Sequence, residues 1–132
     1  MTFLDSSVII DMLAGVNAVV EAVEARGQPY LTSAICVFEV LDGAVGGSET
    51  DIVRVREQFG GVRALDLNES IAIEAAQMQD RLMDDGERMP ARDLFIAATA
   101  RSTGDEFVVA DGDFETGLLS ETMDVTNLRR ND

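Results

Sequence analysis

The chain has 132 residues, 46% of them hydrophobic, with 25 acids against 10 bases and a formal charge of −15. That length suits one domain, residues 1–132, with a core that needs no staple, and the hydrophobic share excludes disorder as the meaning of the acidity. All ten bases are arginine and histidine and lysine are both absent, which removes the Ser-His-Asp triad, imidazole metal ligands, the Walker-type phosphate loop and lysine Schiff-base chemistry.

The single cysteine, Cys36, cannot form an intrachain disulfide or a thiol zinc site, and its apolar setting reads as buried packing. No apolar run approaches the roughly 18 residues that span a bilayer. The amino terminus also lacks the basic region and apolar core of a signal peptide. The expected location is the cytoplasm, with no membrane partner. The surplus acids read as a solvated surface suited to a high-salt, halophilic cytoplasm, because in about 1 M salt the Debye length falls to about 3 Å. A surface built for a basic partner is the alternative. Acid count is therefore no evidence for a site; only position is. The chemistry left to an enzyme of this composition is that of carboxylates holding a hard cation such as Mg2+ or Mn2+.

Thr2-Phe3-Leu4 predicts a strand that runs into Asp5, after which Ser6 or Ser7 caps a helix with apolar positions Val8, Ile9, Met12 and Leu13. Asn17 to Ala25 predicts a second helix, and Pro29 to Thr32 a short strand. Ser33 caps the next helix, with Ile35, Phe38, Leu41 and Val45 on its inner face and Gly46-Gly47 at its end. Ser48 to Phe59 predicts a helix with Ile52, Val55 and Phe59 inward, and Val62 to Leu67 a strand. Asn68 caps the helix from Glu69 to about Asp85, whose buried stripe is Ile71, Ala75, Met78 and Leu82. Pro90 opens a helix that runs from Ala91 to about Thr103 and stops at Gly104. Glu106 to Ala110 reads as a strand covered on both faces. Leu118-Leu119 and Met123 to Thr126 predict one more short helix or strand. Strands alternating with helices predict an α/β fold with a mostly parallel sheet.

Against the acidic background, four places stand out. Asp5 and Asp111 each follow a strand, where open α/β sheets carry their ligand crevice, and Asp113 shares the access of Asp111. Glu39 lies mid-helix, with Gly43 one turn on, a costly residue inside a helix that makes sense if something approaches closely there. Asp93 is followed by Leu94-Phe95-Ile96-Ala97-Ala98, so its helix is buried nearly all round and an ionised carboxylate there needs a cation or donors. Each acid also has a plainer reading: a helix cap or turn for Asp5, the flank of a stripe for Glu39, a dipole-favoured first-turn acid for Asp93, and an Asp-Gly turn for Asp111 or Asp113. Asp11, past the first helical turn, reads as solvated surface.

Together the segments Phe3 to Asp11, Thr32 to Gly43, Arg92 to Ala100 and Val109 to Phe114 resemble the PIN-domain family and, within it, the VapC-type toxin ribonucleases. The resemblance spans essentially the whole chain in the right order. It implies a PIN-like three-layer sandwich, a short, mostly parallel β-sheet flanked by helices, and metal-dependent cleavage of RNA as the toxin of a type II toxin-antitoxin system. It further implies Asp5, Glu39, Asp93 and Asp111 as the catalytic and Mg2+- or Mn2+-binding quartet, with Asp113 and Ser6 as auxiliaries, a cognate antitoxin protein and a homodimer. Many such toxins have a basic rim for RNA, whereas this chain has scattered arginines. The competing readings are a PIN-like module that only binds a protein partner, a haloacid-dehalogenase-like phosphatase and a response-regulator receiver. The phosphatase wants a second acid at the position of Ser7, and the receiver wants a lysine near the site.

Overall fold

A computed structural model describes residues 1–47 and 51–129. The elements in chain order are β1 (Thr2–Leu4), α1 (Ser6–Leu13), α2 (Asn17–Glu24), β2 (Tyr30–Ser33), α3 (Ala34–Asp42) and α4 (Ile52–Gln58). They continue with β3 (Val62–Leu65), α5 (Glu69–Asp84), α6 (Ala91–Thr103), β4 (Glu106–Val109), α7 (Gly117–Thr122) and β5 (Val125–Asn127). The five strands form one sheet in the order β3-β2-β1-β4-β5, and every pairing is parallel. Parallel strands need crossover connections, and the helices that supply them cover both faces.

The strands alternate between two cores. Phe3, Leu31, Phe107 and Val109 face one, packed with Ile71, Ala75, Met78 and Leu82 of α5 and with Leu94, Ile96 and Ala97 of α6. Leu4, Val62 and Val108 face the other, with Val8 and Ile9 of α1, Val19 and Val23 of α2, and Phe59. Neighbouring residues on a strand point to opposite faces, so Phe3 and Leu4 serve different layers although adjacent. Edge-to-face contacts of Phe107 with Phe3 (5.6 Å) and Phe114 (4.9 Å) fix the first core beneath the centre of the sheet.

Capping chemistry sets the helix starts. Ser33 accepts from the backbone N–H of Cys36 (3.0 Å), and Asn68 from that of Ile71 (2.9 Å). Gly104 ends α6 in the left-handed conformation, φ 71°, which glycine adopts without penalty. Pro90 is the N-cap of α6 rather than its first residue. Helix α1 departs from expectation: its N-cap is Asp5, and Ser6 and Ser7 lie inside the helix.

Helix α3 corrects the sequence reading twice. Its buried residues are Cys36 and Val40, whereas Phe38 is 64% exposed and Val45 lies beyond the helix, also exposed. The helix sits between the layers, with Cys36 in one core and Val40 in the other. The helix also stops at Asp42, with Gly43 its C-cap at an ordinary φ of −62°. A Cβ at Gly43 would meet the Val40 carbonyl at 3.4 Å, an ordinary contact, so no described part of the chain itself requires glycine there. Helix α4 starts at Ile52 behind an Asp51 cap. Ile52 is not inward, Val55 is partly covered, and Phe59 just past the helix is buried. The expected start at Ser48 lies outside the described residues. Among the described residues no single helix is long and apolar enough to cross a membrane.

Candidate metal centre

Strand order reverses between β1 and β4: the chain steps outward from β1 through β2 to β3, then returns to β1's other side for β4. A crevice opens at such a reversal, beyond the carboxyl ends of the strands. Asp5 follows β1 and Asp111 lies two residues past β4, so register places both there (Leu4 pairs with Val108). The Asp5 N–H donates to the Val108 carbonyl at 3.0 Å, extending the ladder to the acid itself.

Asp5 is 2% exposed. Its Oδ2 accepts from the backbone N–H of Ser7 (3.2 Å) and from the Ser7 hydroxyl, and its Oδ1 lies 3.8 Å from the Cys36 thiol. Burial pushes its pKa up to about 6, the Ser7 hydrogen bonds opposing and the charges of Asp111 and Glu39 adding to the rise. Burial and the neighbouring Asp5 charge push the Cys36 thiol up to about 12, so it stays protonated at neutral pH.

Glu39 projects from α3 toward the same end of the sheet. Its Oε1 accepts from the Ser6 hydroxyl (3.0 Å), and its Oε2 pairs with Nε of Arg92 (3.2 Å) on α6. Asp93, in the first turn of α6, is buried. Burial raises its pKa, and the charges of Asp113, Glu39 and Asp111 raise it further while Arg92 opposes them. Asp111 is raised chiefly by burial and by Asp113, whose backbone N–H donates to Asp111 Oδ1 at 3.0 Å and acts the other way.

The five acids singled out in the sequence thus lie close enough for their charges to act on one another. Asp5, Glu39 and Cys36 place ligand atoms within 4.8 Å of one another. Uncompensated carboxylates at that spacing repel unless protonated or bridged by a cation, and an oxygen-rich donor set suits a hard divalent ion. Ser6 joins the group through its hydroxyl, which donates to Glu39. Two plainer readings hold alongside: Asp5 is also a helix cap, and Asp111 also accepts a turn hydrogen bond.

Three residues escaped the sequence reading. Ser7 bridges Asp5 to the backbone N–H of Ala110 (3.0 Å). Asn127, ending β5, donates to the Asp111 carbonyl (2.6 Å) and to Glu115 Oε1 (3.1 Å), pinning the loop that carries Asp111. Asp11 is not solvated surface: it is 6% exposed and grips Arg129 through both oxygens (2.6 and 3.0 Å). An asparagine at a strand end was visible in the sequence; the partners of Ser7 and Asp11 were not.

A wholly parallel sheet under two helical layers, with acids gathered where its strand order reverses, defines an α/β protein with a carboxylate centre. Residues 2–116 match the PIN domain family, and the chain belongs to that family. Among curated proteins none matches. Solved structures with the same fold include a chain of a toxin-antitoxin complex from Klebsiella pneumoniae, 20% identical, with a TM-score of 0.78 over 97% of this chain and 98% of that one. A chain of FitAcB from Neisseria gonorrhoeae is 24% identical, with a TM-score of 0.79 over 97% and 98%. A chain of VapBC-5, a toxin-antitoxin system from Mycobacterium tuberculosis, is 24% identical, with a TM-score of 0.69 over 98% of each.

Proposed function

We propose that the chain is a metal-dependent endoribonuclease, the VapC-type toxin of a type II toxin-antitoxin pair. The observation that carries this reading is the convergence of Asp5, Glu39, Asp93 and Asp111 on one crevice. These four would hold Mg2+ or Mn2+, and Asp113, exposed beside them, would assist. A divalent ion held by these carboxylates would supply a water of lowered pKa as nucleophile and charge stabilisation for the leaving oxygen. The chain's own work is positioning. Ser7 holds Asp5 by one oxygen, leaving Oδ1 among the described residues with the weak thiol contact alone, and Ser6 holds Glu39 by Oε1. Burial of Asp5 and Asp93 keeps bulk water from competing for the same oxygens.

Two further observations support the protein partner. Two of the similar structures are of toxin-antitoxin systems, from Klebsiella pneumoniae and Mycobacterium tuberculosis. Phe38, Val45 and Val53 are each more than 60% exposed, large apolar side chains of the kind a protein partner would cover. The chain would act as a homodimer.

The test is cleavage of single-stranded RNA over a range of KCl concentrations with Mg2+ or Mn2+. Wild type is expected to cleave, with EDTA, Asp5→Asn and Asp93→Asn each abolishing activity; cleavage that ignored all three would overturn the mechanism. Calorimetric titration with Mn2+ tests the rival binding module, which would take up no ion at the crevice.

A further inference from the structure

The arginines sort by what holds them. Arg26 is paired with Glu106 (2.8 Å) and the Ala22 carbonyl, and Arg101 with Glu74 (2.7 Å). Arg56 donates to the carbonyls of Phe59 and Val62, and Arg129 grips Asp11 with two nitrogens. All four are engaged in holding the fold together. Arg92 differs. Among the described residues it alone makes an ion pair with one of the crevice carboxylates, Glu39, and it does so through Nε (3.2 Å) while its side chain stays 63% exposed.

A guanidinium carries five N–H donors in a rigid fork. Engagement at Nε leaves the two terminal nitrogens, the pair that matches two oxygens of a phosphate. The backbone of Arg92 is set by the first turn of α6, which also sets Asp93. Its charge therefore stands at the rim of an otherwise anionic crevice, on a chain whose net charge of −15 repels nucleic acid. In high salt only contact-range interactions persist, so a charge-assisted hydrogen bond at the rim matters more than a diffuse basic surface.

We propose that Arg92 is the substrate-gripping residue of the site: its guanidinium, held at Nε by Glu39, contacts an RNA backbone phosphate beside the bond to be cut. The proposal rests on the ribonuclease reading. Glu39 then has two duties, an oxygen toward the metal and an oxygen that aims Arg92.

The experiment compares wild type, Arg92→Ala and Arg92→Lys in steady-state RNA cleavage with Mn2+, alongside Mn2+ titration and fluorescence anisotropy of labelled RNA on an Asp93→Asn background. Arg92→Ala is expected to raise KM about tenfold with kcat within about twofold, and to lower the salt slope of RNA binding by about one ion. Arg92→Lys should recover part of the KM, since it keeps the charge but not the fork. An unmoved KM, with tighter Mn2+ binding, would show that Arg92 only neutralises Glu39 and would overturn the proposal. If wild type cleaves no RNA, the ribonuclease reading fails by itself. Anisotropy then decides the fate of Arg92, which stands if Arg92→Ala weakens RNA binding and falls if binding is unchanged.

Discussion

The Ser7 hydroxyl donates to Asp5 Oδ2, and the Ser7 Oγ in turn accepts from the backbone N–H of Ala110 at 3.0 Å. One side chain thus links the ends of the two strands between which the sheet reverses. Ser7→Ala should leave the Ala110 N–H without its partner and cost about 1–3 kcal/mol of stability. It should also raise the Asp5 pKa further, because the Ser7 hydroxyl hydrogen bond lowers it. Urea unfolding in EDTA reads the first effect. Stability equal to wild type would mean that the bridge contributes nothing.

Asp5 gives the fold an unusual pH response. A carboxyl whose pKa rises from 3.8 unfolded to about 6 folded binds more protons in the folded state. Its contribution is greatest below the unfolded value and is lost as pH rises through the folded one. Asp93 and Asp111 are raised in the same direction. The metal-free protein should therefore lose stability from about pH 4 to 6, with Asp5 alone accounting for about 3 kcal/mol. Asp5→Asn should flatten that profile and stabilise the metal-free protein at pH 7. The same substitution should remove the stabilisation that Mn2+ gives wild type, about 2.7 kcal/mol at a hundredfold excess over Kd. Thermal melts across pH, with and without Mn2+, check both arms, and a wild-type profile flat between pH 4 and 6 would contradict the assignment.

Asp11 and Arg129 tie the first helix to the residues beyond β5. Arg129→Ala should strand a buried carboxylate, while Asp11→Ala leaves an arginine that is 60% exposed and readily solvated. Arg129→Ala is therefore expected to be the more damaging change, by about 1 kcal/mol, with a double-mutant coupling of similar size. Equal losses from both single substitutions would show that the burial of Asp11 carries no penalty.

The surface acids predict a salt response separate from that of the centre. Raising KCl from about 0.1 to 1 M shortens the Debye length from about 10 to 3 Å. Chemical unfolding at pH 7 should show stability rising over this range, and a fall would contradict surface repulsion as the dominant electrostatic effect.

How far the sequence could be read depended on whether an element's surroundings were simple. Helix α5 lies on one face of the sheet with its other side in water, so period alone gave Ile71, Ala75, Met78 and Leu82, all buried. Strand β4 has a core on either face, and its unbroken apolar run betrayed that. Helix α3 touches both cores from the end of the sheet, and no single stripe describes such a helix. Phe38 was accordingly placed inside when it is exposed. The acids at strand ends were legible because chain order and parallel pairing fix where strand ends go. The burial of Asp11 was not, since its partner lies 118 residues away. Ser7 was hidden by its likeness to a cap; Asp5 caps the helix instead, and the Ser7 hydroxyl is left to bridge the strands.

The adjacency of β1 and β4 also bears on biosynthesis. The Ser7–Ala110 hydrogen bond closes a gap of 103 residues, and β4 is the last strand but one to be made. A growing chain carries Asp5 from its first moments outside the ribosome, but Asp111 joins it only when β4 has emerged and docked beside β1. Any chain cut short before that strand lacks Asp111 and the bridge from Ser7 to Ala110, although it already carries Asp5, Glu39 and Asp93.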